Sequence, residues 1–417
     1  MREVLCLVLG GGRGVRLNPL TKYRSKPAVP FAAKYRLVDI PISNSLNSGF
    51  NHIYVLTQFN SESLNKHITR TYKLDPFSGG FVEIMAAEQS MDSMDWFQGT
   101  ADAVRRCLKH FNNPSVEYVL VLSGDQFYRM DFKELLAFHN ENKADITIAC
   151  KPIAGSEIKD FGIMGTDKRG RINNFIEKPQ DEDAVESMGI LIEGKRYYLA
   201  SMGIYLFNKE VLTEILYNNN KADFGKEVMP DSFPHKLTYS YIHKGEWKDI
   251  GTIKAFYEEN LIFTDSASSV NLFDESWPFF THPRYLPPAS VEEADLKRTL
   301  LGDGSILRRC SINHSVIGLR SCIYENSRIE DSILMGADYY ESKEDKQRDV
   351  QKEIPFVGVG RNCLIKKAII DKNARIGDNV RIVNEKGVES FESERYYIKE
   401  GIVIIPKGCI IDSGTVI

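Results

Sequence analysis

The chain reads as an α/β protein in three stretches. A mostly parallel sheet domain over residues 1–263 is followed by a linker over 264–298 and a parallel β-helix of hexapeptide repeats over 299–417. Three observations predict this. Strand-like and helix-like segments alternate as far as residue 263. A glycine-rich turn follows the first apolar strand at once. Beyond residue 299, aliphatic residues recur at a step of six.

The first strand is the apolar run from Val4 to Leu9. Further strand candidates are 53–57, 118–122, 146–150 and 201–207, rich in β-branched and aromatic residues. Between them, 61–72, 101–111, 132–142 and 252–263 carry apolar residues at three- and four-residue spacing, the helical period. Strands alternating with helices predict a mainly parallel sheet covered on both faces, with ligands beyond the strands' carboxyl ends. Pro278, Pro283, Pro287 and Pro288 break any period in 264–298, hence the linker. Then Leu300, Ile306 and Ile312 are six apart, as are Ile317, Ile323 and Ile329. Leu364, Ile370, Ile376 and Ile382 repeat the step, and so do Ile404, Ile410 and Val416. Neither a helix nor a flat strand has a period of six, but a triangular parallel coil does. The charged stretch 338–353 breaks the pattern and is expected to be an excursion loop.

The bulk numbers exclude several classes. At 417 residues with 42% hydrophobic content, the chain can bury a real core. A net charge of −4 argues against nucleic acid as a partner. No apolar run approaches membrane-spanning length, and no secretory leader pattern opens the chain. Seven scattered cysteines without a C-x-x-C pair suit reduced thiols, so a cytoplasmic location is expected.

Gly10, Gly11, Gly12 and Gly14 let the backbone approach a ligand, and Arg13, Arg16 and Lys26 lie within a short reach. Glycines with cations after a strand predict bound phosphate, in preference to a plain glycine turn with solvated arginines. A dinucleotide fingerprint needs glycine or alanine where Val15 and Leu17 stand, and no Walker loop occurs. Asp125 ends the apolar segment 119–122 through Ser123 and Gly124, at a strand's carboxyl end. Beside polyphosphate, its expected task is to hold Mg²⁺; the plainer alternative is a cap for the helix starting near Asp131. Asp249 is a second carboxylate before a helix, with capping as its alternative. Glu177 and Lys178 end another strand, and Pro179 predicts an extended Lys178. A lysine there suits a phosphate, or equally a surface ion pair. Gly99 and Thr100 open a helix after Trp96, Phe97 and Gln98, where N-capping is the simpler account. The eight histidines form no paired ligand spacing, and no G-x-S-x-G is present.

Taken together, LGGGRGVRL with SKPAVPF, YVLTQFNSESLNKHI, WFQGTADAVR, SGDQFYRMD, IEKP, ASMGIY, DFGKEVMP, WKDIGT and the hexapeptide tail resemble the glucose-1-phosphate adenylyltransferases, or ADP-glucose pyrophosphorylases, along essentially the whole chain. PRYLPP, NHSVIGLRSCI, LMGADYYE and KNARIGDNV look most like the cyanobacterial and plant branch. The resemblance implies a Rossmann-like nucleotidyltransferase domain and a left-handed coil. It also implies a reaction of ATP with glucose 1-phosphate that gives ADP-glucose and pyrophosphate with Mg²⁺. Carried onto this sequence, Gly10, Gly11, Gly12, Arg13, Arg16 and Lys26 bind the triphosphate, and Gln98, Gly99 and Thr100 the adenine side. Asp125 and Asp249 hold the metal, while Phe97, Gly162, Glu177, Lys178 and Ser201 hold the sugar phosphate. Asp125, Arg16, Lys26 and Lys178 carry the catalysis, and Gln58 and Trp96 lie in loops that couple regulation to it.

Lys372 and Lys407 match positions that bind 3-phosphoglycerate in the photosynthetic branch, with Lys366 nearby; 3-phosphoglycerate and phosphate are the effectors implied, and so is a homotetramer. Four positions depart from the pattern. Val15 replaces a usual threonine, Gln126 a common histidine, and Phe97 the tyrosine of some bacterial members. Tyr23 stands where some bacterial members have a lysine for fructose bisphosphate. Two alternatives stay open: a sugar nucleotidyltransferase using UTP, dTTP or GTP, and a mainly regulatory subunit. The basic residues of the glycine loop argue against the latter.

Overall fold

Strand β1, Glu3–Leu9, buries every residue from Val4 to Val8. A strand covered on both faces needs an unbroken apolar run, and this one has it. In this computed structural model, which describes residues 3–75, 77, 79–87, 96–111, 113–265 and 270–417, the next strands are β2 (His52–Thr57), β3 (Phe81–Ala86) and β4 (Val116–Ser123). They assemble in the order β3-β2-β1-β4, all parallel. Helices α1 (Asp39–Asn47), α2 (Glu62–Thr71) and α3 (Thr100–Cys107) make the connections. Leu5, Leu7, Val119 and Val121 share one core with Ala101 and Val104 of α3.

Beyond β4 the sheet changes direction. Helix α4 (Phe132–Glu141) leads to β5 (Ile146–Ile153), β6 (Gly162–Thr166) and β7 (Ile172–Glu177). The 14-residue β8, Lys195–Asn208, then runs antiparallel to β4, β5 and β6 before α5 (Lys209–Tyr217). Strand β9, Thr238–Ile242, returns parallel to β5. The alternation of elements anticipated the parallel ladders but not this reversed strand. β8 also carries a bulge: Ser201 pairs with Cys150 and Ile204 with Ala149, and Gly203 takes φ +67°.

The chain divides into two compact units. The first holds Met1–Gly12, Val38–Trp247 and Glu275–Phe280; the second holds Arg13–Leu37, Lys248–Asp274 and Thr281–Ile417. The division therefore passes through the glycine loop. The segment expected to be a linker is partly fastened down. In the first unit, Trp277 Nε1 donates to Asn44 at 2.9 Å, and Asn47 Nδ2 donates to Pro278 O at 2.9 Å. Residues 266–269 of that segment lie outside the described residues. Among the described residues, no helix is long and apolar enough to cross a membrane.

The second unit is built on the parallel coil, which starts before residue 299, with strands at Ser290–Glu292 and Asp295–Leu301. Its inward faces form three ladders. One runs Leu307, Ile323, Val359, Ile376, Ile411. A second runs Leu296, Ile312, Ile329, Ile365, Ile382. The third runs Leu301, Ile317, Leu334, Ile370, Ile405. The predicted period is correct, but its phase needs correcting in places. Leu300, Ile306, Leu364, Ile404 and Ile410 each sit one position before a ladder residue, and Val416 is 56% exposed. Each of the five is the first of an aliphatic doublet such as Leu364-Ile365, so spacing alone allowed two phases.

The excursion at 338–353 is also corrected, from loop to helix: a helix spans Lys343–Gln351. Ser342 and Asp345 close a reciprocal capping box at its start, a local signal that outweighs the lack of an apolar stripe. At one corner Asn326, Asn362 and Asn379 stack with φ of +59°, +53° and +59°, their amides bonded in series at 3.2 Å. Asparagine tolerates that left-handed backbone better than most residues. The phase assignment predicts that Ile329→Ala costs about 2–5 kcal/mol, as for a buried isoleucine truncated in a closed core. Leu364→Ala costs clearly less. Calorimetric unfolding of the two variants checks this, and equal losses would refute the ladder.

Candidate active site

Three strand ends converge at the start of the glycine loop. Gly10 N donates to Leu56 O of β2 at 2.8 Å, and Gly124 N donates to Leu9 O of β1 at 3.1 Å. A Cβ on Gly124 would lie 2.7 Å from Leu9 O, and one on Gly10 would lie 3.0 Å from Leu56 O. Side chains are thus excluded here, whereas Gly12 faces open space. Asp125 follows Gly124 directly, and Ser123 Oγ donates to its Oδ1 at 2.5 Å. It does not cap α4: Asp131 does, accepting from Lys133 N at 2.9 Å. A carboxylate therefore stands next to the glycine backbone at the carboxyl edge of the sheet.

A second cluster of the same unit surrounds Glu177, at the end of β7. A Cβ on Gly162 would meet Glu177 Oε2 at 2.6 Å, and one on Gly225 would meet it at 2.9 Å. Burial pushes the Glu177 carboxyl up, Lys178 opposes this, and Asp223 adds to it. Lys178 is not extended as Pro179 predicted. It takes φ +49°, with its N–H bonded to Phe161 O at 3.0 Å and its side chain exposed. Pro179 disfavours the right-handed helical region but leaves the left-handed one to be imposed by that bond. Ser201 is buried at the β8 bulge, where its Oγ accepts from Gly203 N at 3.2 Å. Bulges often re-aim a side chain beside a site. Asp223 and Gly225 were quoted within DFGKEVMP without a role. Their contact with Glu177 spans some fifty positions, so no local pattern reveals it.

Gln58 Nε2 donates to Phe97 O at 3.2 Å, which joins the two loops named for regulation. Phe97 packs against the main core, and Trp96 is exposed. Gln98 is exposed too, its Nε2 donating to Trp96 O at 2.8 Å. Gly99, not Thr100, precedes α3. A Cβ there would lie 2.4 Å from Ala222 O, which accepts from Ala101 N at 2.7 Å. Thr100 Oγ1 instead accepts from Phe224 N at 3.0 Å. Gln126 Oε1 accepts from Trp247 Nε1 at 3.1 Å, so the residue replacing histidine fixes a buried indole.

In the second unit, Arg16 and Lys26 face one carboxylate. Asp249 lies 3.8 Å from Arg16 Nη2 and 3.5 Å from Lys26 Nζ. Thr252, not Asp249, caps the helix Ile253–Leu261, accepting from Ala255 N at 3.1 Å. Lys26 is buried and Arg16, Arg13 and Val15 are exposed. Asp125 and Asp249 belong to different units. In the coil, Asp338 joins Lys372 at 2.6 Å and Lys407 at 2.9 Å. Burial works against its charge, but the two ammonium groups outweigh it and hold the carboxyl far below the usual range. Lys366 pairs instead with Glu330, at 3.4 Å. Tyr23 is exposed beneath Lys22. Gly14 holds φ +60°, and a Cβ there would lie 2.9 Å from Lys26 Cβ. Gly14→Ala is therefore expected to cost at least about 1–2 kcal/mol, the left-handed penalty alone. Gly12→Ala, in open space, should leave stability nearly unchanged, as paired thermal melts can test.

Two family models match the chain. The Nucleotidyl transferase family model matches residues 5–266. The GLGC left-handed parallel beta-helix domain matches residues 284–416. The first match spans more than half of the chain, and the pair in this order fits the ADP-glucose pyrophosphorylases. With its glycine loop on a parallel sheet and its isoleucine-laddered coil, the chain belongs to the nucleotidyl transferase family.

Proposed function

We propose that the chain is a glucose-1-phosphate adenylyltransferase of glycogen or starch synthesis. A phosphate oxygen of α-D-glucose 1-phosphate attacks the α-phosphorus of ATP in line. The bond to the bridging oxygen breaks, and pyrophosphate leaves as ADP-glucose forms. The observation that supports this most is that Asp125 directly follows Gly124, whose N–H bonds to Leu9 O at the end of the strand leading into the glycine loop, in a chain that pairs a nucleotidyl transferase match with a GLGC domain.

No covalent enzyme intermediate is needed, so the chain's contribution is positioning and charge neutralisation. Gly10, Gly11 and Gly12 admit the phosphates close to the backbone. Arg16 and Lys26 offset the charge gathering on the leaving pyrophosphate, with Arg13 nearby in sequence. Lys178 answers the sugar phosphate, while Glu177 and Ser201 take sugar hydroxyls. Gln98, Gly99 and Thr100 serve the adenine side. Magnesium fits Asp125, because that ion takes one or two carboxylates and fills its shell with phosphate oxygens and water. Among the described residues there is no group of three or more His, Cys, Asp or Glu able to cage a metal. When bound, the ion supplies further neutralisation of the phosphate oxygens. Asp249 has the chemistry for the same role, but its charge is already shared by Arg16 and Lys26. Lys372 and Lys407, joined through Asp338, are the anion site we assign to 3-phosphoglycerate and phosphate. The coil is the surface on which a homotetramer would assemble.

Incubation with glucose 1-phosphate and each of ATP, UTP, dTTP and GTP tests the assignment. ATP should be preferred; a UTP preference overturns the adenylyl reading and leaves a uridylyl one, and no turnover with any nucleotide points to a regulatory subunit. Asp125→Asn is expected to lower turnover by more than tenfold, over about 1.4 kcal/mol of barrier. Turnover that survives within that range removes Asp125 from the metal site.

A further inference from the structure

Arg24 lies two residues before Lys26 and is only 3% exposed. Its Nη1 and Nη2 both donate to Asp371 Oδ1 at 2.9 Å, and Nη1 also approaches Met335 Sδ at 3.9 Å. Asp371 is 2% exposed and cannot drift. It directly follows the coil strand Ala368–Ile370, its N–H donates to Ile405 O at 2.9 Å, and its Oδ1 also accepts from Lys372 N at 2.6 Å. All of these residues belong to the second unit.

The stretch between the anchor and the cation is short and stiff. Ser25 precedes a tight 3-10 turn, Lys26–Ala28, with Pro27 fixing the φ of its second residue. The turn closes with Ala28 N on Ser25 O at 3.0 Å and Val29 N on Lys26 O at 3.1 Å. Ahead of the turn, Thr21 Oγ1 donates to Gly14 O at 3.0 Å, which ties the segment leading to Arg24 to the glycine loop. A guanidinium fork clamped on a carboxylate leaves little freedom to the backbone that carries it. We infer that Arg24 is a positioning residue: clamped on the coil by Asp371, it sets the turn from which Lys26 reaches polyphosphate. The inference rests on the reading of Lys26 as a polyphosphate cation.

Inorganic pyrophosphate is the probe, titrated calorimetrically into the full chain. Arg24→Met and Asp371→Asn are each expected to weaken its binding about tenfold, within the range for residues coupled in one network. Arg24→Lys, which keeps a cation on Asp371, recovers part of the loss. Lys26→Met weakens binding as well, and the double variant R24M/K26M binds no more weakly than K26M alone, because Arg24 acts only through Lys26. Should Arg24→Met fail to fold, Asp371→Asn, which keeps the shape of the side chain but removes the charge that clamps Arg24, carries the same test. Lower melting temperatures with unchanged pyrophosphate affinity overturn the inference and leave a purely structural ion pair. Additive losses in R24M/K26M overturn it too. An unmodified chain that binds no pyrophosphate overturns both this inference and the reading of Lys26 beneath it, whereas binding that only the Arg24 and Asp371 variants leave intact overturns this inference alone.

Discussion

No side chain fits where β1, β2 and β4 end. Leu9 O and Leu56 O occupy the space that a Cβ on Gly124 or Gly10 would need. The close approach of three parallel strands and the presence of glycine are therefore one constraint. It brings backbone N–H groups and the Asp125 carboxylate to the same edge. It also leaves the next residues free to turn out of the sheet, which is where the chain crosses into its second unit. The start of the glycine loop and the candidate metal ligand both meet at this edge.

The cations assigned to substrates and effectors share an arrangement. Arg16 and Lys26 are matched by Asp249, and Lys372 and Lys407 by Asp338. Lys26 and Lys372 are both largely buried, and a buried ammonium group without a partner is costly. A resident carboxylate gives each pair of cations a partner and a fixed orientation in the folded chain. Such pairing sits well with sites that must present positive charge at fixed positions.

Much of this was legible in the sequence because it rests on local patterns. The unbroken run before Gly10 requires a two-faced buried strand. The six-residue step requires a coil. What was not legible depended on register or on distant contacts. Leu364 and Ile365 are equally apolar, and only pairing with Ile329 selects the second. The reversed β8 has the composition of any buried strand, because sequence alternation carries no sign of direction. Lys178 obeys a hydrogen bond to Phe161, seventeen positions away, over the preference set by its neighbour Pro179. The carboxylates Asp223, Asp338 and Asp371 reach their partners across the fold, so spacing could not point to them.

The bridge from Asp338 to two lysines also bears on which solutes that corner of the coil can admit. Any anion that settles on Lys372 and Lys407 must first evict a carboxylate tethered to the same scaffold. Tethered groups act at effective concentrations in the millimolar range or above. Dilute monovalent ions compete poorly against such a resident, while a multiply charged phosphate ester can meet both ammonium groups at once. Under the effector role proposed for these lysines, the internal ion pair would work as a threshold that favours anions of higher valence.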